Sequence, residues 1–243
     1  MDKRLEIAKK FHGMGPPSLN TWEEVCKQEE EETLAGAPTG DEEFDRKGYK
    51  IVRNMCPVEL LLDDVPKERG QLNYGDGNLV YHKKVEAQVP GSVSRYLHPN
   101  RKAAFSHVKK QVEKAIGQPL YKTYYYDRFY FPGQDLKYHA DRPSCEISVT
   151  IHCSSNLRDK WPICIKSPDG SVGEVYLEPG DGLIYKGCER PHWRLPMSGV
   201  KRNKIRKWLR MDEYYYHQIF FHYVLKNGQR SHFGGDEGKF NWT

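Results

Sequence analysis

Beyond Pro119, for about a hundred residues, the chain is a succession of short apolar and aromatic stretches separated by turn signals, and this constrains its fold more than any other feature. The stretches are LYKTYYY, RFYF, SCEISVTIHCS, WPICIKSP, GEVYLEP, DGLIYKG and YHQIFFHYVL. Between them stand Pro132-Gly133, Pro168-Asp169-Gly170, Pro179-Gly180-Asp181-Gly182 and, after the last, Asn227-Gly228. Several run apolar, polar, apolar, the period of a strand with one buried face. A series of such strands predicts a mainly β (α+β) domain built as an antiparallel sandwich or barrel.

One amphipathic helix precedes this region. Phe105, Val108, Val112 and Ile116 recur at helical spacing, and Gly117 with Pro119 ends the run. Upstream, GYKIVRNM reads as a first strand, PVELLLDDV as a short helix and Glu68–Asn78 as loop. The expected organisation is an N-terminal arm at 1–46, a single domain at 47–230 and a C-terminal tail at 231–243.

Composition narrows the function classes. At 243 residues the chain suits one domain, and a mean hydropathy of −0.82 fits a compact centre with charged flanks. No stretch reaches the roughly 18 consecutive apolar residues of a membrane helix. The opening MDKRLEIAKKFHGMGPP lacks the apolar middle of a secretory signal, so a cytoplasmic location is expected. Cys26, Cys56, Cys145, Cys153, Cys164 and Cys188 form no CxxC pair, which points to reduced, buried thiols rather than a thiolate zinc site. The net charge of +5 is too mild to imply nucleic-acid binding, although KRNKIRKWLR at 201–210 is densely basic and could meet an anionic partner.

The chemistry centres on His139-Ala140-Asp141. Residues two apart on a strand face the same side, so an imidazole and a carboxylate there can share one metal. His192 lies 53 residues further on, at the end of the apolar strand in LEPGDGLIYKGCERPHWR, and completes a set of two histidines and one acid. Such a set on one face leaves three coordination positions open, as oxygen-activating iron(II) sites require. His217 and His222, on opposite faces of the last strand, are reserve ligands.

The stretch from Tyr121 to Val224 resembles the 2-oxoglutarate- and Fe(II)-dependent dioxygenases of the prolyl-hydroxylase type. The resemblance rests on ordered motifs: FYFPGQDLKYHADRP, CEISVTIHCSSN, LEPGDGLIYKGCERPHWR and QIFFHYV. It implies a double-stranded β-helix, a cupin-like jelly roll, with flanking N-terminal helices. It implies His139, Asp141 and His192 as the iron ligands and catalytic centre, with 2-oxoglutarate as cosubstrate, O2 as oxidant and ascorbate as an expected stimulant. The implied reaction splits 2-oxoglutarate to succinate and CO2 while hydroxylating an unactivated C–H bond, with a prolyl residue in a peptide or an amino acid as first candidate.

The far carboxylate of 2-oxoglutarate needs a buried cation, and arginine pairs both oxygens. Relatives often place it about ten residues past the distal histidine, at the start of the last strand, but here that strand opens Tyr216-His217-Gln218. Arg194, two residues after His192 on the same face, is favoured, and Arg202 in the basic stretch is second. Tyr124, Tyr126 and Phe131 before His139, and Thr150 and His152 on the next strand, are further contacts for cosubstrate or substrate. The rival readings are a non-catalytic jelly-roll binding module, a cupin-type enzyme and, less favoured, a nucleic-acid-acting oxygenase. The cupin reading would want His-x-His with a nearby Glu, which the chain lacks around His139.

Overall fold

The computed structural model describes residues 39–66, 69–74, 80–82, 88–199 and 214–234. Cys26, the basic stretch with Arg202 and the tail from residue 235 lie outside the described residues. The described chain opens with helix α1 (Glu42–Lys47) and strand β1 (Tyr49–Val52). Strands β2 (Gly70–Asn73), β3 (Val80–His82) and β4 (Val93–Tyr96) lead to helix α2 (Lys102–Ile116). The remaining strands are β5 (Leu120–Tyr130), β6 (Leu136–His139), β7 (Ile147–Ser155), β8 (Ile163–Lys166), β9 (Val172–Val175), β10 (Gly182–Lys186), β11 (His192–Arg194) and β12 (Tyr216–Leu225).

They form an eight-stranded sheet, β1-β10-β7-β12-β5-β4-β2-β3, and a four-stranded sheet, β6-β11-β8-β9. Every pairing is antiparallel except β2 with β4. The sheets pack face to face. Ile163, Ile165 and Val175 of the small sheet meet Leu183 and Tyr185 of the large one. This is the expected mainly β jelly roll.

Strand β12 is buried along its whole length because it lies between β5 and β7 and both of its faces are covered. Tyr216 and Phe220 face the interior, whereas Ile219, Phe221 and Tyr223 face α2. On α2, Ala104, Phe105, Val108, Val112 and Ile116 are buried, the predicted stripe with one residue added. Phe105 stacks on Phe221 with centroids 5.4 Å apart and tilts against Tyr223 at 5.2 Å. Each such side chain contributes about 1.5–3 kcal/mol of burial. Gly117 then stops the helix in the left-handed conformation (φ 71°), as its position predicts.

Three sequence expectations are corrected. The Glu68–Asn78 stretch is not all loop, because β2 lies within it and is held parallel to β4, a tertiary pairing that overrides weak local propensity. PVELLLDDV yields only one 3₁₀ turn, Val58–Leu60. LYKTYYY and RFYF are one continuous strand, since Asp127 between them finds buried partners. Packing also reaches outside 47–230: Phe44 of α1 is fully buried against the core, and Phe233 is buried in a short turn near the other end.

No helix among the described residues is long and apolar enough to cross a membrane. The five described cysteines form no disulfide.

Candidate metal centre

The fold brings His139, Asp141 and His192 together at one end of the interior. His139 closes β6, and His192 opens β11 directly opposite it in antiparallel register. Their rings lie 4.4 Å apart between centroids. Asp141 sits beyond the end of β6, where its backbone N–H donates to the Gly187 carbonyl at 2.8 Å. One ligand atom from each of the three falls within 4.8 Å of the others.

Each imidazole is fixed by its Nδ1. His139 Nδ1 donates to Lys137 O at 2.7 Å and His192 Nδ1 to Arg190 O at 3.1 Å. An imidazole whose Nδ1 proton is tied in this way presents Nε2 as its ligand atom. Both Nε2 atoms lie 3.7 Å from Asp141 Oδ1, too long for a hydrogen bond. Their mutual spacing suits three ligands of one divalent ion, each about 2 Å from it. Burial and the neighbouring His192 push the His139 pKa down to about 4, which keeps that ring unprotonated at neutral pH.

Asp141 is oriented from behind. Its Oδ2 accepts from Ser148 Oγ at 2.7 Å. Burial raises the Asp141 pKa, but His192, His222 and His139, together with the Ser148 hydroxyl, hold it below the usual carboxylate value. Because Ser148 gives its one proton to an acceptor, His222 Nδ1 must donate to Ser148 Oγ, 3.0 Å away. Gly187 keeps this corner open: a Cβ there would stand 2.2 Å from Cys145 O, 2.5 Å from Ser148 Oγ and 2.8 Å from Asp141 Oδ2. Replacing Ser148 with Ala is expected to weaken metal affinity about 10- to 100-fold, the usual cost of losing a group that orients a ligand. Isothermal titration with Co(II) checks this.

The other expected site residues divide. Arg194 is 2% exposed and faces the interior; its Nη1 donates to Trp161 O at 2.6 Å and its Nη2 to Tyr216 Oη at 3.4 Å. The guanidinium lies 4.6 Å from the Trp161 ring and 4.7 Å from that of Tyr216. Its Nε is buried without a hydrogen-bond partner, and among the described residues it forms no ion pair. His152 stacks on Tyr216 at 4.3 Å and ties its Nδ1 to Leu177 O, leaving a buried Nε2 unpartnered. Thr150 Oγ1 meets the Gln218 amide. Tyr124 contacts Cys145 Sγ at 3.2 Å and stacks on His222, while Tyr126 is stacked between Tyr96 and Phe220. Phe131 is not brought to this group; it packs with Val93 and Phe129 beneath Arg69. His217 points away from the interior to Asp127, whereas His222 lies close enough to Asp141 and Cys145 to form a second ligand group.

Ser148, Gly187 and Tyr185, whose hydroxyl lies 3.4 Å from His192 Nε2, went unnoticed in the sequence. Ser148 had a signal, since it precedes Thr150 and His152 at the same alternation. Gly187 had only its place after an apolar strand.

No family model and no curated protein matches the sequence. Solved structures do resemble it. A prolyl-4-hydroxylase from Pseudomonas putida superposes with a TM-score of 0.50 at 14% identity, over 78% of this chain and 98% of that one. An oxidoreductase of the 2OG-Fe(II) oxygenase family from Burkholderia pseudomallei has a TM-score of 0.50 at 10% identity, over 89% and 97% of the two chains. AviO1 from Streptomyces viridochromogenes Tue57 has 0.50 at 12%, over 81% and 98%. At these identities the likeness is one of fold, and the fold is the jelly roll that such oxygenases use.

Proposed function

We propose that this chain is a 2-oxoglutarate- and iron(II)-dependent oxygenase that hydroxylates an unactivated C–H bond, with His139, Asp141 and His192 as metal ligands. The observation that carries the reading is the convergence of two imidazole lone pairs and one carboxylate oxygen, with each Nδ1 proton tied to a backbone carbonyl. Two histidines and one acid on one face suit iron(II), since positions stay open for a chelating cosubstrate and O2. Iron(II) held by these residues would supply the activation of O2, the oxidant, one oxygen atom going into succinate as 2-oxoglutarate loses CO2 and the other into the substrate C–H bond.

The chain's own residues do the rest. Ser148 turns Asp141 so that Oδ1 faces both imidazoles. Arg194 is the candidate for the far carboxylate of 2-oxoglutarate. Its charge has no acidic partner among the described residues, and Trp161 and Tyr216 hold its plane in a dry setting where a charge-assisted pair is strong. Tyr126, with Tyr96 and Phe220, forms an aromatic wall that keeps water from this interior. The proposed substrate is a peptide or small molecule, with a prolyl residue or an amino acid as first choice. The proposed location is the cytoplasm, a compartment that would keep the five described thiols reduced.

Succinate release from 2-oxoglutarate, measured with Fe(II) and ascorbate across peptides and amino acids, tests the proposal. Release above the metal-free background is expected, and its absence across the panel contradicts the reading. Arg194→Met should raise the KM for 2-oxoglutarate about 100-fold, equivalent to the roughly 3 kcal/mol of a hydrogen bond to a charged group at the upper end of its range. Arg194→Lys should fall between. An unchanged KM places the carboxylate elsewhere, Arg202 being next.

A further inference from the structure

We infer that Gln88 competes with the metal ion for the lone pair of His139, an inference that rests on the metal-site reading above. Gln88 lies between β3 and β4, half-buried, with its Nε2 3.0 Å from His139 Nε2. Its Oε1 accepts from Arg128 Nη1 at 2.9 Å. The two contacts fix which way the amide faces: a guanidinium can only donate, so the oxygen belongs on Arg128 and the N–H on the histidine. His139 has already committed its proton at Nδ1 to Lys137 O, so Nε2 can only accept. The hydrogen bond therefore occupies the lone pair that a metal would use.

The anchor behind Gln88 is stiff. Arg128 is fully buried on β5; its Nε donates to Ser94 Oγ at 2.9 Å and its Nη1 also to Tyr130 Oη at 3.3 Å. The rings of Tyr126 and Tyr130 lie 5.4 and 5.6 Å from its guanidinium carbon. A metal bonds an imidazole nitrogen at about 2.0–2.1 Å. An amide nitrogen 3.0 Å from that atom, on the same lone pair, leaves no space for both. Metal entry thus requires the Gln88 amide to swing aside at the cost of one hydrogen bond. His192 is held less closely, its nearest hydroxyl being Tyr185 at 3.4 Å.

The test is titration calorimetry with Co(II), an air-stable stand-in for Fe(II), on wild type, Gln88→Ala and Gln88→Leu. Both variants should bind Co(II) roughly fivefold more tightly and load it faster, the equivalent of a neutral hydrogen bond of about 1 kcal/mol. Disruption of a merely structural side chain would move affinity the other way. In a His139→Ala background, Gln88→Ala should have no effect. Gln88→Asn, whose amide is one methylene too short to bridge both partners, should behave like Ala and serves where either variant folds poorly. Equal or weaker binding by the Gln88 variants overturns the inference while leaving the metal site standing. Failure of wild type and variants alike to bind Co(II) contradicts the metal site itself, and the inference falls with it.

Discussion

Asp141→Ala is expected to weaken divalent-metal binding by more than about 100-fold and to abolish succinate release, a larger loss than the 10- to 100-fold typical of groups that only orient a ligand. Asp141 supplies the negative charge of the triad, and without it two neutral imidazoles face the ion alone. The folded state should survive, because Ser148 Oγ keeps Cys145 O, 3.1 Å away, as an acceptor. Thermal unfolding separates the two effects. Wild type in Co(II) at 100 times its dissociation constant should gain about 2.7 kcal/mol of stability. Asp141→Ala should match wild type without metal and gain less than about 0.4 kcal/mol with it. A variant that still gains stability and still releases succinate removes Asp141 from the site.

The second large effect lies on the opposite face of β5. Asp127 is fully buried and accepts from Arg95 Nε at 2.9 Å and from Arg95 Nη2, while His217 Nε2 lies 2.9 Å from it and Arg101 Nε 3.6 Å. Asp63 bridges the same two arginines at 2.8 and 3.0 Å. Removing one member of a buried charge network leaves charge uncompensated, which costs about 3–5 kcal/mol. Because Asp63 remains, Asp127→Ala should cost about 3 kcal/mol, or a fall in Tm of roughly 6–12 °C for a domain of this size.

A pH dependence accompanies it. Burial works to raise the Asp127 pKa, but the hydrogen bonds and charges of His217 and Arg95 outweigh it and hold the carboxyl far below its usual range. A depressed folded-state pKa gives stability that is complete above the unfolded value near 4 and is lost as the pH falls below it. Wild type should therefore lose stability on acidification, and Asp127→Ala should show a shallower acid limb. Equal Tm values and superimposable pH curves would contradict this account of the network.

The sequence revealed those parts of the fold that depend on local pattern. Strands β7, β10 and β12 were legible because each alternates or is fully apolar between turn signals, and α2 because its stripe ends at Gly117. Strand β2 was hidden because its stability comes from β4, which no local signal announces. Asp127 broke the apparent run of β5 for a related reason: a buried carboxylate looks like a loop residue until Arg95 and His217 are placed beside it.

In the site, the spacing of His139 and Asp141 was legible, and the return of His192 followed from strand order. The backbone route was not, since Asp141 lies past the strand end and is fixed through Gly187 rather than by the pleat. Gln88 was out of reach for the same reason, its contacts with Arg128 and His139 being 40 and 51 residues away in the chain.

The most direct test is anomalous diffraction at the cobalt edge from crystals grown with Co(II). One strong peak is expected, bonded at about 2.0–2.2 Å by His139 Nε2, Asp141 Oδ1 and His192 Nε2, with the remaining positions facing the interior. A peak that omits any of the three, including one centred instead on His222 and Cys145, or no ordered ion at all, would contradict the metal-site reading.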